Sequence, residues 1–160
     1  MTATFKRFFD LRETEHLDVM SHNLTPVSVD TSNDPLARMR VVTLGRELLD
    51  VAWVDAKKLS DDRLTEEISG QLYAAIASVL ANIGEGYSRS SGKDRSRIFE
   101  YALGSVREAM VWYQASKPVI GDVATERLNK LEEIRRMLLV IIPRERNKTI
   151  RPKNRPGLTN

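Results

Sequence analysis

Between residues 35 and 142 the apolar side chains recur every three or four positions, in four stretches of similar length joined by short polar connections. That spacing marks one face of an amphipathic helix. The first helix is predicted over 35–58, with Asp34 as its cap and Pro35 at its first position. The second is predicted over 65–85, where Ile68, Leu72, Ile76, Val79, Leu80 and Ile83 line one face. The third is predicted over 92–117, opened by a capping-box-like Ser91 and Asp94 and striped by Ile98, Ala102, Val106, Ala109 and Tyr113. The fourth is predicted over 122–142, with Leu128, Leu131, Ile134, Leu138 and Ile141 on one side and Pro143 ending it. Four helices of roughly 20 residues are each about 30 Å long. Connections shorter than about 10 residues favour antiparallel neighbours. The expected fold is all-α, an antiparallel up-down-up-down four-helix bundle.

The chain divides accordingly into an N-terminal extension over 1–34, the bundle over 35–143 and a basic tail over 144–160. In the extension, Phe5, Phe8, Phe9, Leu17 and Met20 suggest a short amphipathic helix, and residues 21–35 read as a linker. No long apolar run opens the chain, and the longest elsewhere, over 137–142, is too short to cross a bilayer. A cytoplasmic protein without a membrane role is therefore expected. The two Asn-x-Thr triplets at Asn23 and Asn147 are then chance matches.

Charge is unevenly placed. After Pro143 come Arg144, Arg146, Lys148, Arg151, Lys153 and Arg155 against the single acid Glu145, while the rest of the chain holds 19 basic and 21 acidic residues. A basic end on a near-neutral body suits an anionic partner, DNA or RNA, and equally a solubilising end. Pro143, Pro152 and Pro156 favour an extended tail. A second basic group, Arg89, Lys93, Arg95 and Arg97, surrounds the start of the third helix and is either a weak anion site or a solvated loop. The run from Gly86 to Asp94 is not a P-loop: the glycines stand one residue too far apart, Asp94 occupies the magnesium-holding position, and no strand precedes it.

With no cysteine and only two histidines, the chain lacks thiolate chemistry and a histidine-rich metal site. Glu13-Thr14-Glu15-His16 has the Glu-x-x-His spacing of di-iron bundles, but a second copy is missing. No metal, cofactor or catalytic residue is expected. Asn82, Glu85, Ser105 and Glu108 are polar positions near packed faces, with Arg107 as a counter-charge. They read as a structural hydrogen-bonded network rather than as catalytic carboxylates. An enzyme using Glu85 or Glu108 is the remote alternative.

Two features exceed a plain bundle. Gly70, Ala74, Ala77, Ala81 and Gly84 form a small-residue stripe on which a neighbouring helix can approach closely. The first helix carries Val41, Val42, Leu44, Leu48, Leu49, Val51, Ala52, Trp53 and Val54, too wide an apolar surface for one core. Either a second subunit or the N-terminal segment covers the excess.

The segment Ala81-Asn82-Ile83-Gly84-Glu85-Gly86 resembles the Asn-Ile-Ala-Glu-Gly signature of the four-helix-bundle family named for proteins encoded in 23S ribosomal RNA intervening sequences, and Gln71 fits the same block. Phe99, Ala102, Leu103, Gly104, Ser105 and Glu108 resemble the family's segment on the next helix. The resemblance spans about residues 39–142. It implies a homopentamer, often without known activity. Related bundles serve as accessory proteins of diversity-generating retroelements, binding a reverse transcriptase and nucleic acid through a basic surface. This chain departs from the pattern: Tyr73 and Ala74 stand where the family usually has adjacent arginines, and Gly84 replaces an alanine. The resemblance thus implies a non-enzymatic, oligomeric, nucleic-acid-associated accessory protein, with a pure protein-interaction scaffold as the alternative.

Overall fold

The computed structural model describes residues 33–148. A one-turn 3-10 helix, Pro35–Arg38, leads into four α-helices: α1, Arg40–Ser60; α2, Glu66–Ser88; α3, Gly92–Ile120; and α4, Val123–Arg146. The connections are short enough to force each helix back along the last. α3 packs against both α2 and α4, and α1 closes the bundle mainly against α2. The antiparallel four-helix bundle expected from the spacing is the fold observed, with no strand among the described residues.

The core is aliphatic. Leu48 and Leu59 of α1, Leu72, Ile76 and Ile83 of α2, Val106 of α3, and Leu131, Ile134 and Leu138 of α4 are all essentially excluded from solvent. Close helix approach occurs at glycines other than those of the small-residue stripe. A side-chain carbon on Gly45 would lie 2.7 Å from Leu80, and one on Gly86 would lie 2.7 Å from the Phe99 ring. Along the stripe, Gly70 meets nothing within 4 Å and Gly84 meets only Leu36, at 3.9 Å. At these two glycines no neighbouring helix approaches closely among the described residues.

Helix boundaries differ from the expected ones in three places. The first segment is broken, because Met39 is extended (φ −71°, ψ 124°) between the 3-10 helix and α1. Asp34 does cap, accepting from the Leu36 amide at 2.9 Å. α3 runs through Pro118 to Ile120, and α4 runs through Pro143 to Arg146. Each proline lies in the final turn, and the residues four positions earlier, Gln114 and Leu139, are exposed. Water can satisfy the carbonyls that lose their partner, so the usual penalty is reduced. Gly121, with φ at +61°, then stops α3 in a conformation few side chains tolerate.

The wide apolar surface of α1 is divided. Val41, Val42, Leu44, Leu48 and Ala52 enter the core. Trp53 and Val54 do not, and Trp53 stays 56% exposed. Its ring meets Tyr73 of α2 edge-on, with centroids 5.5 Å apart. Tyr73 therefore extends an apolar surface where the family pattern usually has arginine. The apolar positions of the N-terminal extension lie outside the described residues.

Candidate nucleic-acid interface

One end of the bundle is made by the close of α2, the start of α3 and the close of α4. There the start of α3, with Lys93, Arg95 and Arg97, meets the described part of the second basic group, Arg144, Arg146 and Lys148. Ser91 caps α3, its hydroxyl accepting from the Asp94 amide at 3.0 Å and donating to the Asp94 carboxylate at 2.8 Å. Gly92 is buried directly beneath α4: an added side-chain carbon would collide with the Glu145 carbonyl and crowd that of Lys148. The absence of a side chain at 92 is what lets α4 close over the start of α3.

Ion pairs fasten this junction. Arg95 donates to the Arg89 carbonyl at 2.6 Å and reaches Glu145 at 3.3 Å. Lys148 also pairs with Glu145, Arg146 pairs with Glu100 of α3, and Arg89 pairs with Glu85 one turn back on α2. Lys93, Arg97 and Arg144 are exposed and have no carboxylate partner among the described residues. Arg97 instead lies over the Tyr101 ring, 5.8 Å from its centroid, and donates to the Tyr101 hydroxyl at 3.3 Å.

The tail begins later than Pro143 suggested. Arg144 and Arg146 are helical and Lys148 follows directly, with Arg146 and Lys148 tied to carboxylates. These three belong to the bundle's end. Arg151, Lys153 and Arg155 lie outside the described residues. Elsewhere on α4, Arg135 and Arg136 are occupied. Both donate to Glu132, at 2.7 and 2.9 Å, and these hydrogen bonds hold its carboxyl down to about 2.

The expected network of Asn82, Glu85, Ser105, Arg107 and Glu108 does not assemble within the chain. Asn82 donates to the Ser78 carbonyl and Ser105 to the Tyr101 carbonyl, each one turn back on its own helix. Glu85 is exposed and pairs with Arg89, while Glu108 accepts from Trp112. Arg107 is exposed. These helices are held at this level by apolar packing of Gly86 on Phe99, which leaves the polar groups to local partners.

A buried polar centre does exist, joining Tyr113 of the α3 stripe to Asp55 and Arg127, neither of which the expected stripes include. Asp55 of α1 is 2% exposed. One of its oxygens accepts from the Tyr113 hydroxyl of α3 at 3.1 Å and from Arg127 of α4 at 2.9 Å. Burial, reinforced by the Asp55 charge, pushes the Tyr113 hydroxyl far above its ordinary range and keeps it protonated. The Asp55 carboxylate, shared between a neutral tyrosine and a guanidinium, ties three helices together, and the protonated Tyr113 offers no nucleophile. The signal was available: Asp55 falls in the Leu48, Ala52, Leu59 register, a charge on a core stripe. No group of three or more potential metal ligands occurs among the described residues. No described helix is long and apolar enough to cross a membrane.

The architecture is thus that of an all-α bundle with a basic end and no assembled acid–base set among its described residues. Residues 38–139 match the profile of the 23S rRNA-intervening sequence protein family, and the chain belongs to that family. Its two motif blocks meet where Gly86 receives Phe99. A solved structure described as a protein of unknown function from the S23 ribosomal protein family of Bacteroides thetaiotaomicron VPI-5482 superposes with a TM-score of 0.59. That match covers 64% of this chain and 97% of the other at 22% identity, a likeness of fold. No match was found among curated proteins.

Proposed function

We propose that this protein is a non-enzymatic accessory factor that binds the phosphate backbone of DNA or RNA with the basic end of its bundle. The observation that carries the reading is that Lys93 and Arg97 share a cleft with Arg146, and that Lys93, Arg97 and Arg144 are exposed and without carboxylate partners among the described residues, at the end from which the chain continues toward Arg151, Lys153 and Arg155. Contacts of this kind give affinity without base readout and make binding salt-dependent. The family's link to ribosomal RNA genes is consistent with such a partner. No geometry among the described residues singles out a reverse transcriptase as a further partner.

Self-association belongs to the same reading. Trp53 and Val54 of α1, and the open stripe of Gly70, Ala74, Ala77 and Ala81 on α2, are surfaces a second copy can cover. Five subunits is the number the resemblance implies. Light scattering gives the mass directly, and a monomer at micromolar concentration would overturn the assembly.

The binding test compares the parent, a chain ending at Lys148, and a Lys93→Ser, Arg97→Ser, Arg144→Ser variant. Cutting after Lys148 preserves the α3–α4 junction, which a cut at Pro143 would not. Each change is expected to weaken binding and flatten its salt dependence. If all six cations, Lys93, Arg97 and Arg144 with Arg151, Lys153 and Arg155, engage phosphates, the slope of log affinity against log salt is about −4 to −5. A parent that binds neither DNA nor RNA at low salt would refute the reading and favour a protein-interaction scaffold.

A further inference from the structure

Resting on that phosphate-binding reading, we infer that the outer face of the first turns of α3 is a platform for single-stranded nucleic acid. Tyr101 stacks on an unpaired base while Lys93, Arg97 and Arg146 hold the adjoining phosphates.

Positions 93, 97 and 101 are spaced by four and share one face of α3, each step advancing about 6 Å along the axis. All three side chains are exposed, and Tyr101 remains 52% open to solvent, outside the core. Beside this row lies a shallow cleft of about 360 Å³ lined by Lys93, Ser96, Arg97, Glu100 and Arg146. Three cations thus face one carboxylate, and that carboxylate, Glu100, is paired with Arg146. The Arg97 guanidinium over the Tyr101 ring places a cation and a flat apolar face side by side.

An anionic strand with accessible base faces complements both halves of this arrangement. Phosphates answer the cations, and a base answers the ring. Every base has such a face, so stacking tolerates any sequence. In a duplex the faces are covered by neighbouring bases, and Tyr101 reaches one only after unstacking it. The row therefore favours a single strand over a duplex of similar charge.

The test measures binding of the full-length protein to three labelled probes: single-stranded dT12, a 12-base-pair duplex, and a 12-unit abasic strand with the same phosphates. The parent is expected to bind dT12 several-fold more tightly than the other two. Tyr101→Ala should weaken dT12 binding about tenfold and leave the duplex and abasic strands unchanged, while Tyr101→Phe retains most of the affinity. Lys93→Ser with Arg97→Ser should weaken all three and flatten their salt dependence. Equal parental affinity for dT12 and the abasic strand, or a neutral Tyr101→Ala, would overturn the platform while leaving phosphate binding intact. A fall in assembly mass in Tyr101→Ala would also overturn it, by making the ring a subunit contact. Absence of binding to every probe would instead refute the underlying phosphate-binding reading.

Discussion

Replacing Asp55 with alanine tests whether one buried carboxylate holds three helices in register. The side chain removed is 2% exposed, and a single oxygen of it serves both Tyr113 and Arg127. Tyr113 is fully buried, so its hydroxyl loses its acceptor with no access to water, at a cost of about 1–3 kcal/mol. The Arg127 side chain is 15% exposed and among the described residues retains only the Glu126 carboxylate, at 3.4 Å. Breaking one side of a buried pair typically costs about 3–5 kcal/mol. Because Glu126 still compensates part of the charge, the lower part of that range applies, roughly 3–4 kcal/mol. For a chain of this length that lowers the melting temperature by about 6–16 °C. Urea unfolding at fixed protein concentration is the assay, since self-association adds to apparent stability. Arg127→Leu should be comparably damaging, because it strands the Asp55 charge. The double change Asp55→Leu, Arg127→Leu should cost much less than the sum of the single changes. A loss below about 1 kcal/mol in Asp55→Ala, or single effects that simply add, would refute the reasoning.

Gly92→Ala should push the end of α4 away from α3, because the new methyl collides with backbone rather than with a side chain that can swing aside. A loss of about 1–3 kcal/mol in thermal melts is expected. Gly84→Ala should raise stability by about 0.5–1 kcal/mol, since the added carbon meets only Leu36, at 3.9 Å, and helical glycine is costly. Tyr113→Phe should change the alkaline limb of stability. The folded state holds the Tyr113 proton above the ordinary value of 10.0, so its contribution is complete below pH 10 and is lost as pH rises beyond it. Urea midpoints of parent and variant should therefore keep a constant separation up to about pH 10 and converge only as pH rises above it. Glu85→Ala, which removes only an exposed pair with Arg89, should stay within about 0.5 kcal/mol of the parent in the same assay.

The bundle was legible because its information is local. Leu72, Ile76, Val79 and Ile83 are buried, as their spacing requires, and the Ser91 cap depends on residues three apart. The ends of α3 and α4 were less legible. A proline usually stops a helix, but Pro118 and Pro143 act only in the last turn, where solvent takes over the orphaned carbonyls. Partners across the bundle were least legible. Asp55 meets groups 58 and 72 residues away, and no local pattern announces which acid on which stripe will find them. The polar residues of the Asn82–Glu85 block drew attention through their motif, yet their bonds within the chain are to their own helices. The basic end was half legible. Its two cation clusters stand out in the sequence, but their meeting depends on α4 continuing past Pro143 to lie over Gly92.

The means by which that meeting is secured gives the bundle a polarity in its response to electrolyte. At the Asp55 end the charges are buried, and mobile ions cannot enter between them. At the Gly92 end every fastening pair has at least one partner that is 30% or more exposed, and at 0.1 M salt interactions open to solvent fade over about 10 Å. Rising ionic strength should therefore loosen the amides of residues 89–97 and 143–148 in hydrogen exchange while leaving those around Asp55 and Tyr113 protected. A polyanion that competes for Arg146 or Lys148 would draw on the same weakness. Fraying at that end under salt, and tightening or opening on nucleic acid, would then be two readings of one set of surface pairs.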